Sequence, residues 1–121
     1  MTPDPLNLIL PPTFKGKTWD GFSWAISDVS EDDTEYSAEL ETVRVQLQTE
    51  AGAVALTLLS TNTGEVTINS STANAWSITV EPRIINLDAG NYSFGMETTD
   101  ADGVVKIRMA GLLEVKADPV I

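Results

Sequence analysis

The sequence predicts an all-β protein, an antiparallel β-sandwich of about seven or eight strands. Apolar and polar residues alternate with a period of two in several short segments, as in strands that bury one face. Turn-forming residues separate these segments at intervals of about 8–12 residues, the spacing typical of a sandwich. No segment has the apolar period of a long amphipathic helix. A small β-barrel is the alternative that the same spacing allows.

The segment before the longest predicted hairpin indicates a tyrosine corner. Leu87 ends an apolar stretch, Ala89 and Gly90 form a tight turn, and Tyr92 begins a new strand. In immunoglobulin-like sandwiches, a tyrosine at such a corner hydrogen-bonds through its hydroxyl to the backbone a few residues upstream. We therefore expect an immunoglobulin-like sandwich in which Leu87, Gly90 and Tyr92 form a structural corner.

The hairpin itself begins at Tyr92, and its alternation continues through Phe94 and Met96. Asp100 and Asp102 belong to a turn that ends in a glycine, and we interpret them as turn residues rather than as a catalytic pair of carboxylates. The return strand is predicted to place six residues on one face: Val105, Ile107, Met109, Gly111, Leu113 and Val115.

Residues 1–12 are predicted to form an extended, proline-rich arm, and residues 13–121 a single sandwich domain. Proline donates no backbone hydrogen bond, so the apolar centre of this segment is restricted to an edge strand or an extended arm. We expect that centre to lie on a neighbouring subunit, since it would be a poor solvent-exposed tail; a frayed terminus is the alternative. The expected interface residues of the arm are Leu6, Leu8, Ile9 and Leu10.

The alternation of apolar and polar residues predicts different environments for the three tryptophans. Trp24 and Trp76 are in phase with neighbouring apolar residues, which indicates burial. Trp19 has the opposite parity from Phe22 and Trp24, so we expect it to be exposed and to anchor an interface. A single exposed tryptophan is more typical of a protein interface than of a sugar-binding platform.

Two further segments carry specific expectations. Residues 53–59 are apolar on both faces apart from Thr57, which predicts a central strand covered twice or a strand with one face against a partner. Residues 28–41 hold seven acidic residues and no basic one. They lack the ligand spacing of a calcium loop, so we expect a solvated, mobile insertion without a metal, with a short strand as an option at residues 36–40.

The composition excludes several classes of function. The 121 residues contain no cysteine and no histidine, so thiol chemistry and histidine-based catalysis are impossible. The sequence also lacks a nucleophile-elbow motif and a phosphate-binding loop, and we expect neither an enzyme nor a cofactor. With 18 acidic and 7 basic residues, the net charge of −11 predicts no binding to nucleic acid or to membrane surfaces.

Three stretches carry a family resemblance. Phe14-Lys15-Gly16-Lys17-Thr18-Trp19, Val43-Arg44-Val45-Gln46-Leu47, and the block from Leu87 to Tyr92 with its continuation through residues 102–115 resemble the N-terminal domain of phage baseplate upper proteins and its small stand-alone virion relatives. The resemblance covers about residues 13–117. The sequence departs from the family pattern at Lys17, where an acid is common, and in the acidic segment, which replaces a short turn. It also ends at Ile121, without the family's oligomerisation and receptor-platform region.

The resemblance implies a non-enzymatic phage virion structural protein, of the tail, the baseplate or another virion component. Its expected partners are other virion proteins and further copies of itself, as a homo-oligomer. Its expected location is the virion, after assembly in the cytoplasm of a bacterial host, since the N-terminal segment is too short and too uncharged for an export signal. A glycan-binding or host-surface-binding β-sandwich module is the alternative.

Overall fold

The computed structural model describes residues 6–26, 38–72 and 75–117, and these residues form eleven strands. The strands are β1 (Leu6–Ile9), β2 (Thr13–Phe14), β3 (Thr18–Trp19), β4 (Phe22–Ile26), β5 (Leu40–Gln48), β6 (Val54–Leu59), β7 (Val66–Thr72), β8 (Ala75–Val80), β9 (Arg83–Ile84), β10 (Gly90–Asp100) and β11 (Val105–Lys116). None of the described residues is helical. The all-β prediction is confirmed.

The strands form two main sheets. The larger sheet has the order β1-β11-β10-β5-β6, with β2 paired to the end of β11, and the smaller has the order β4-β8-β7. Strands β3 and β9 pair separately. All pairings are antiparallel except those of β1 and β2 with β11. Two packed sheets, with β1 and β2 beside the last strand of the larger one, form an immunoglobulin-like sandwich.

One apolar core lies between the two sheets. The alternation predicted from the sequence is confirmed in its three central strands, because every second residue is buried. These residues are Val43, Val45 and Leu47 on β5, Trp76, Ile78 and Val80 on β8, and Tyr92, Phe94 and Met96 on β10. Trp24 is half-buried and contacts the edge of this core, in agreement with its parity.

A β-bulge interrupts the long hairpin of β10 and β11. Met96 pairs with Met109 but Glu97 pairs with Ile107, so Arg108 is one extra residue on β11. Both Arg108 and Met109 are buried, and the side chains that precede the bulge change face. The prediction of a single buried face for the return strand is therefore wrong for Val105 and Ile107, which are exposed.

The buried Arg108 is held by polar and aromatic neighbours. Its Nε donates a hydrogen bond of 3.1 Å to Oγ1 of Thr98, and its guanidinium lies 5.0 Å from the centre of the Trp76 ring. A guanidinium stacked on an aromatic face loses less on burial than an ammonium does. The bulge is therefore a satisfied part of the core rather than a defect.

The turn between β10 and β11 forms as predicted. Oδ1 of Asp100 accepts hydrogen bonds of 3.0 Å from the amides of Asp102 and Val104, and Gly103 has a φ of 80°. Asp100 is buried and its carboxylate is occupied by these turn amides. This contact confirms the interpretation of Asp100 as a turn residue.

Strand β6 corrects the prediction of a central strand. It pairs with β5 alone and forms an edge of the larger sheet. Leu58 is fully buried, but Val54 is 54% exposed. The apolar character of residues 53–59 thus reflects one buried face and one face that points away from the core.

Most of the predicted acidic insertion lies outside the described residues, which resume at Ala38. Residues 38–41 are tied to the sandwich: the carbonyl of Ala38 accepts a hydrogen bond of 3.0 Å from Nε1 of Trp76, and that of Glu39 accepts one of 2.8 Å from the amide of Ala101. Leu40 is buried and begins β5. Residues 38–41 are therefore an ordered part of the sandwich, and the rest of the predicted mobile insertion, residues 28–37, lies outside the described residues.

Candidate interaction surface

The side of the larger sheet that points away from the core is named here the outer face. Seven large apolar side chains of the described residues are exposed, and five of them lie on the outer face. These five are Ile9 (85% exposed), Val54 (54%), Val105 (54%), Ile107 (57%) and Leu112 (54%). Scattered apolar residues are normal on a protein surface, whereas a cluster on one face indicates a contact site.

Strand pairing brings four of the five together along β11. Leu112 pairs with Ile9 of β1, so their side chains lie side by side on the outer face. Ile107 and Val105 continue the same row towards the hairpin turn, with the half-buried Ala110 between Ile107 and Leu112. We name Ile9, Val105, Ile107 and Leu112 the apolar ridge.

A hollow of about 180 Å³ lies beside the apolar ridge. Its floor is Gly95 of β10, where an added Cβ would meet no atom within 4 Å. Its walls are Arg44, Gln46 and Gln48 on β5, Ser93 and Glu97 on β10, and Ile107 of the ridge. The hollow exists because Gly95, which has no side chain, pairs with Gln46 of β5 on one side and with the small Ala110 of β11 on the other.

The charges of the outer face cancel locally. Arg44 and Glu97 are opposite each other on β5 and β10 and form an ion pair of 3.1 Å. The other outward-facing charges at paired positions are Glu114 and Lys116 on β11. Two charges of each sign sum to zero here, whereas the whole chain carries −11.

The tyrosine corner is confirmed. Tyr92 is buried, and its hydroxyl donates a hydrogen bond of 2.6 Å to the backbone carbonyl of Asp88. Leu87 is half-buried against the core, and Gly90 is the exposed first residue of β10. Because Lys15 lies 2.9 Å from the carboxylate of Asp88 and donates a hydrogen bond to it, the pKa of that carboxyl is lowered.

The expectation that Trp19 is exposed is wrong, since only 6% of its surface is accessible. Its ring lies 6.3 Å from that of Phe22 in an edge-to-face arrangement, and Phe22 in turn contacts Phe94 at 5.5 Å. The prediction from alternation failed because Trp19 lies on β3, whereas Phe22 lies on β4, so the two residues do not share one alternating pattern. Gly21, with a φ of 68°, bends the chain between the two strands.

The predicted arm lies along the protein's own sheet where it is described. Leu6 and Leu8 lie in β1, paired with Met109 and Gly111, and Leu10 is buried in the core. Of the two options for this segment, the structure has the edge strand. Residues 6–9 therefore belong to the larger sheet of the same chain, whereas the expected contact of this segment with a neighbouring subunit stays a prediction. Ile9 is 85% exposed. Residues 1–5 lie outside the described part of the chain.

The described residues contain no group of three side chains that could hold a metal ion. No helix able to cross a membrane occurs among them either. The outer face presents an apolar ridge, a hollow with polar side chains in its walls and balanced charges. Of the ridge, only Ile9 was among the expected interface residues. Alternation missed Val105 and Ile107, whose facing depends on the bulge at Arg108, and it missed the hollow, which depends on the neighbours of Gly95.

The chain matches no protein-family model and no curated protein sequence. Among solved structures, it is similar to the fibronectin(III)-like modules of Clostridium thermocellum CbhA, at 12% identity and a TM-score of 0.38, over 96% of this chain and 93% of that one. It is also similar to murine CRIg, at 12% identity and a TM-score of 0.35, over 94% and 93% of the two chains. The immunoglobulin-like topology follows from the strand order and the tyrosine corner alone, and neither similarity adds to it.

Proposed function

We propose that this protein is a non-enzymatic structural component of a phage virion, and that it acts by packing its outer face against other proteins. The observation that carries the proposal is the placement of five of the seven exposed large apolar side chains of the described residues on that one face. Burying such side chains gains roughly 25 cal/mol per Å². A protein partner supplies the broad, flat surface that they need.

The assignment to a virion is supported by the family resemblance. The stretches that carry it include residues 43–47 on β5 and residues 110–115 on β11. These strands flank β10, and the three together form the centre of the outer face. The absence of cysteine and histidine from the sequence supports a role without catalysis.

The test is incorporation into particles. Particles purified from cells that produce the phage should contain the protein at a fixed ratio to the major structural proteins, as measured by mass spectrometry. Leu112→Arg should reduce incorporation, whereas Ile84→Arg should not, because Ile84 is 63% exposed but lies on β9, outside the outer face. Absence of the wild-type protein from the particles would refute the virion role.

A glycan-binding module is the competing outcome. Trp19 and Trp76 are buried and Trp24 is half-buried, so none of the three tryptophans is the fully exposed platform that sugar stacking needs. We expect no specific signal when the purified protein is applied to a glycan array. Saturable binding to one glycan class, abolished by a substitution in the hollow such as Gln46→Ala, would favour the alternative.

A further inference from the structure

We propose that the outer face binds a second copy of the same chain in a twofold arrangement, with the apolar ridge of each copy seated in the hollow of the other. This inference rests on the proposed function and names the partner of the same surface. A twofold interface uses one patch on both subunits, so the patch must be complementary to itself. The outer face meets this condition because it holds both a projecting and a recessed part.

The positions of these two parts suit a twofold axis. The ridge lies on β11 and β1, and the hollow lies over β10 and β5. An axis that runs along the strands, between β10 and β11, would place the ridge of one copy over the hollow of the other twice. Sheets packed in this way are aligned, which is the common geometry for sheets that pack face to face.

The charge distribution favours a second copy over an oppositely charged partner. Two chains of net charge −11 repel each other over most of their surface. The outer face is the exception, because its paired positions carry two positive and two negative charges. Since Arg44 is already neutralised by Glu97, neither copy presents an unpaired charge to the hollow from this pair.

The size of the outer face is sufficient for a dimer. The twofold axis superposes four strands of each copy, β1, β11, β10 and β5, which at about 4.8 Å each span about 19 Å, and a nine-residue strand such as β5 extends for about 30 Å. The overlap therefore measures roughly 600 Å² on each copy, at the lower end of the range of about 600–1,000 Å² per partner for specific interfaces.

The register shift at Arg108 between β10 and β11 places two residues of the apolar ridge on the outer face. Without the extra residue, Val105 and Ile107 would share a face with Met109 and point into the core. With it, both join Leu112 on the outer face, and the cation of Arg108 lies inside, against Trp76. The extra residue of the bulge, the buried Arg108, thus places Val105 and Ile107 on the outer face.

Sedimentation velocity of the purified full chain over a wide range of concentration tests the proposal. The wild-type protein should shift from monomer to dimer as its concentration rises. Leu112→Arg should weaken the dimer at least about tenfold, since it places a charge at the centre of the apolar contact. Gly95→Gln should weaken it by filling the hollow; an added Cβ at this position meets no atom within 4 Å, so the substitution introduces no clash with the backbone. Ile84→Arg is the matched control and should dimerise like the wild type.

Each result either supports or overturns the proposed dimer. A wild type that stays monomeric at every concentration overturns the dimer, as does a dimer that both Leu112→Arg and Gly95→Gln leave intact. A monomeric wild type whose Leu112→Arg variant is still lost from particles would mean that the outer face contacts a different virion protein, so the proposed function would stand and the dimer would fall. A protein that forms the dimer but is absent from particles would support the dimer and refute the proposed virion role.

Discussion

The hydroxyl of Tyr92 and the carbonyl of Asp88, four residues apart, are joined by a hydrogen bond of 2.6 Å. The same Asp88 uses its carboxylate to pair with Lys15, near the end of β2. One residue therefore connects the start of β10 with the N-terminal strands, through its backbone on one side and its side chain on the other. The corner fixes the direction in which β10 begins, and β10 is the central strand of the larger sheet.

Replacing Tyr92 with phenylalanine should lower the free energy of unfolding by about 1 kcal/mol or more, because the part-buried hydrogen bond to the carbonyl of Asp88 is lost while the ring still fills its site. The measurement is a shift of the urea midpoint with an unchanged slope. Tyr92→Phe should not change the oligomeric state, since the residue faces the core. An unaltered midpoint would mean that water satisfies the carbonyl equally well.

Replacing Gly21 with alanine should disrupt the junction of β3 and β4. The new Cβ would lie 2.0 Å from the carbonyl oxygen of Val80, the residue that pairs with Phe22. Gly16→Ala is the matched control, because Gly16 also has a positive φ, of 80°, but open space around the new Cβ. The control should lose only the cost of a left-handed alanine, about 1–2 kcal/mol.

Thermal denaturation of both variants measures the difference. Gly21→Ala should be the less stable of the two by a clear margin, or should fail to fold. Equal melting temperatures would show that β8 moves aside without cost.

The N-terminal edge strand predicts opposite outcomes for two adjacent residues. Leu10→Ala should cost about 2–5 kcal/mol, the range for truncating a buried leucine, because Leu10 is only 6% exposed. Ile9→Ala should leave the stability of the monomer nearly unchanged in dilute solution, since Ile9 is 85% exposed. Chemical denaturation of both variants checks this. Similar losses for the two would mean that β1 docks differently from the pairing of Ile9 with Leu112.

Glu65 predicts a specific dependence of stability on pH. The amide of Leu59, at 3.0 Å from Oε1, and the side-chain amide of Asn62, at 3.2 Å, both donate to its carboxylate and lower its pKa below the ordinary value of 4.5. Because the pKa is lower in the folded state, the stabilisation is complete above the unfolded value and is lost as the pH falls through the folded one. The stability difference between wild type and Glu65→Gln should therefore shrink on acidification below about pH 4.5.

An NMR titration of the Glu65 carboxyl carbon provides the direct measurement. Asn62→Ala should move its pKa part of the way back towards 4.5, because one of the two donors remains. A wild-type carboxyl that titrates at its ordinary value would contradict the hydrogen bonds to Leu59 and Asn62.

Features that depend on a single strand or a single turn could be predicted from the sequence. Alternate burial along β5, β8 and β10, the hairpin turn at Asp100 and the corner at Tyr92 all follow from local rules. The side chains of a strand alternate because its backbone is pleated, and a glycine or an aspartate shapes a turn through its own backbone and side chain. None of these features requires knowledge of the neighbouring strand.

Features that depend on how strands pair could not be predicted from the sequence, because they are set by the assembled sheets. The extra residue at Arg108 is visible only against β10, and it reverses the facing of Val105 and Ile107 because the period of a strand is two. Trp19 is buried because β3 pairs with β9, beyond a bend that resets parity. Whether β1 and β6 become edges is likewise a matter of sheet order. Alternation specifies that a strand has two faces, and only the assembled sheets specify which face meets the core.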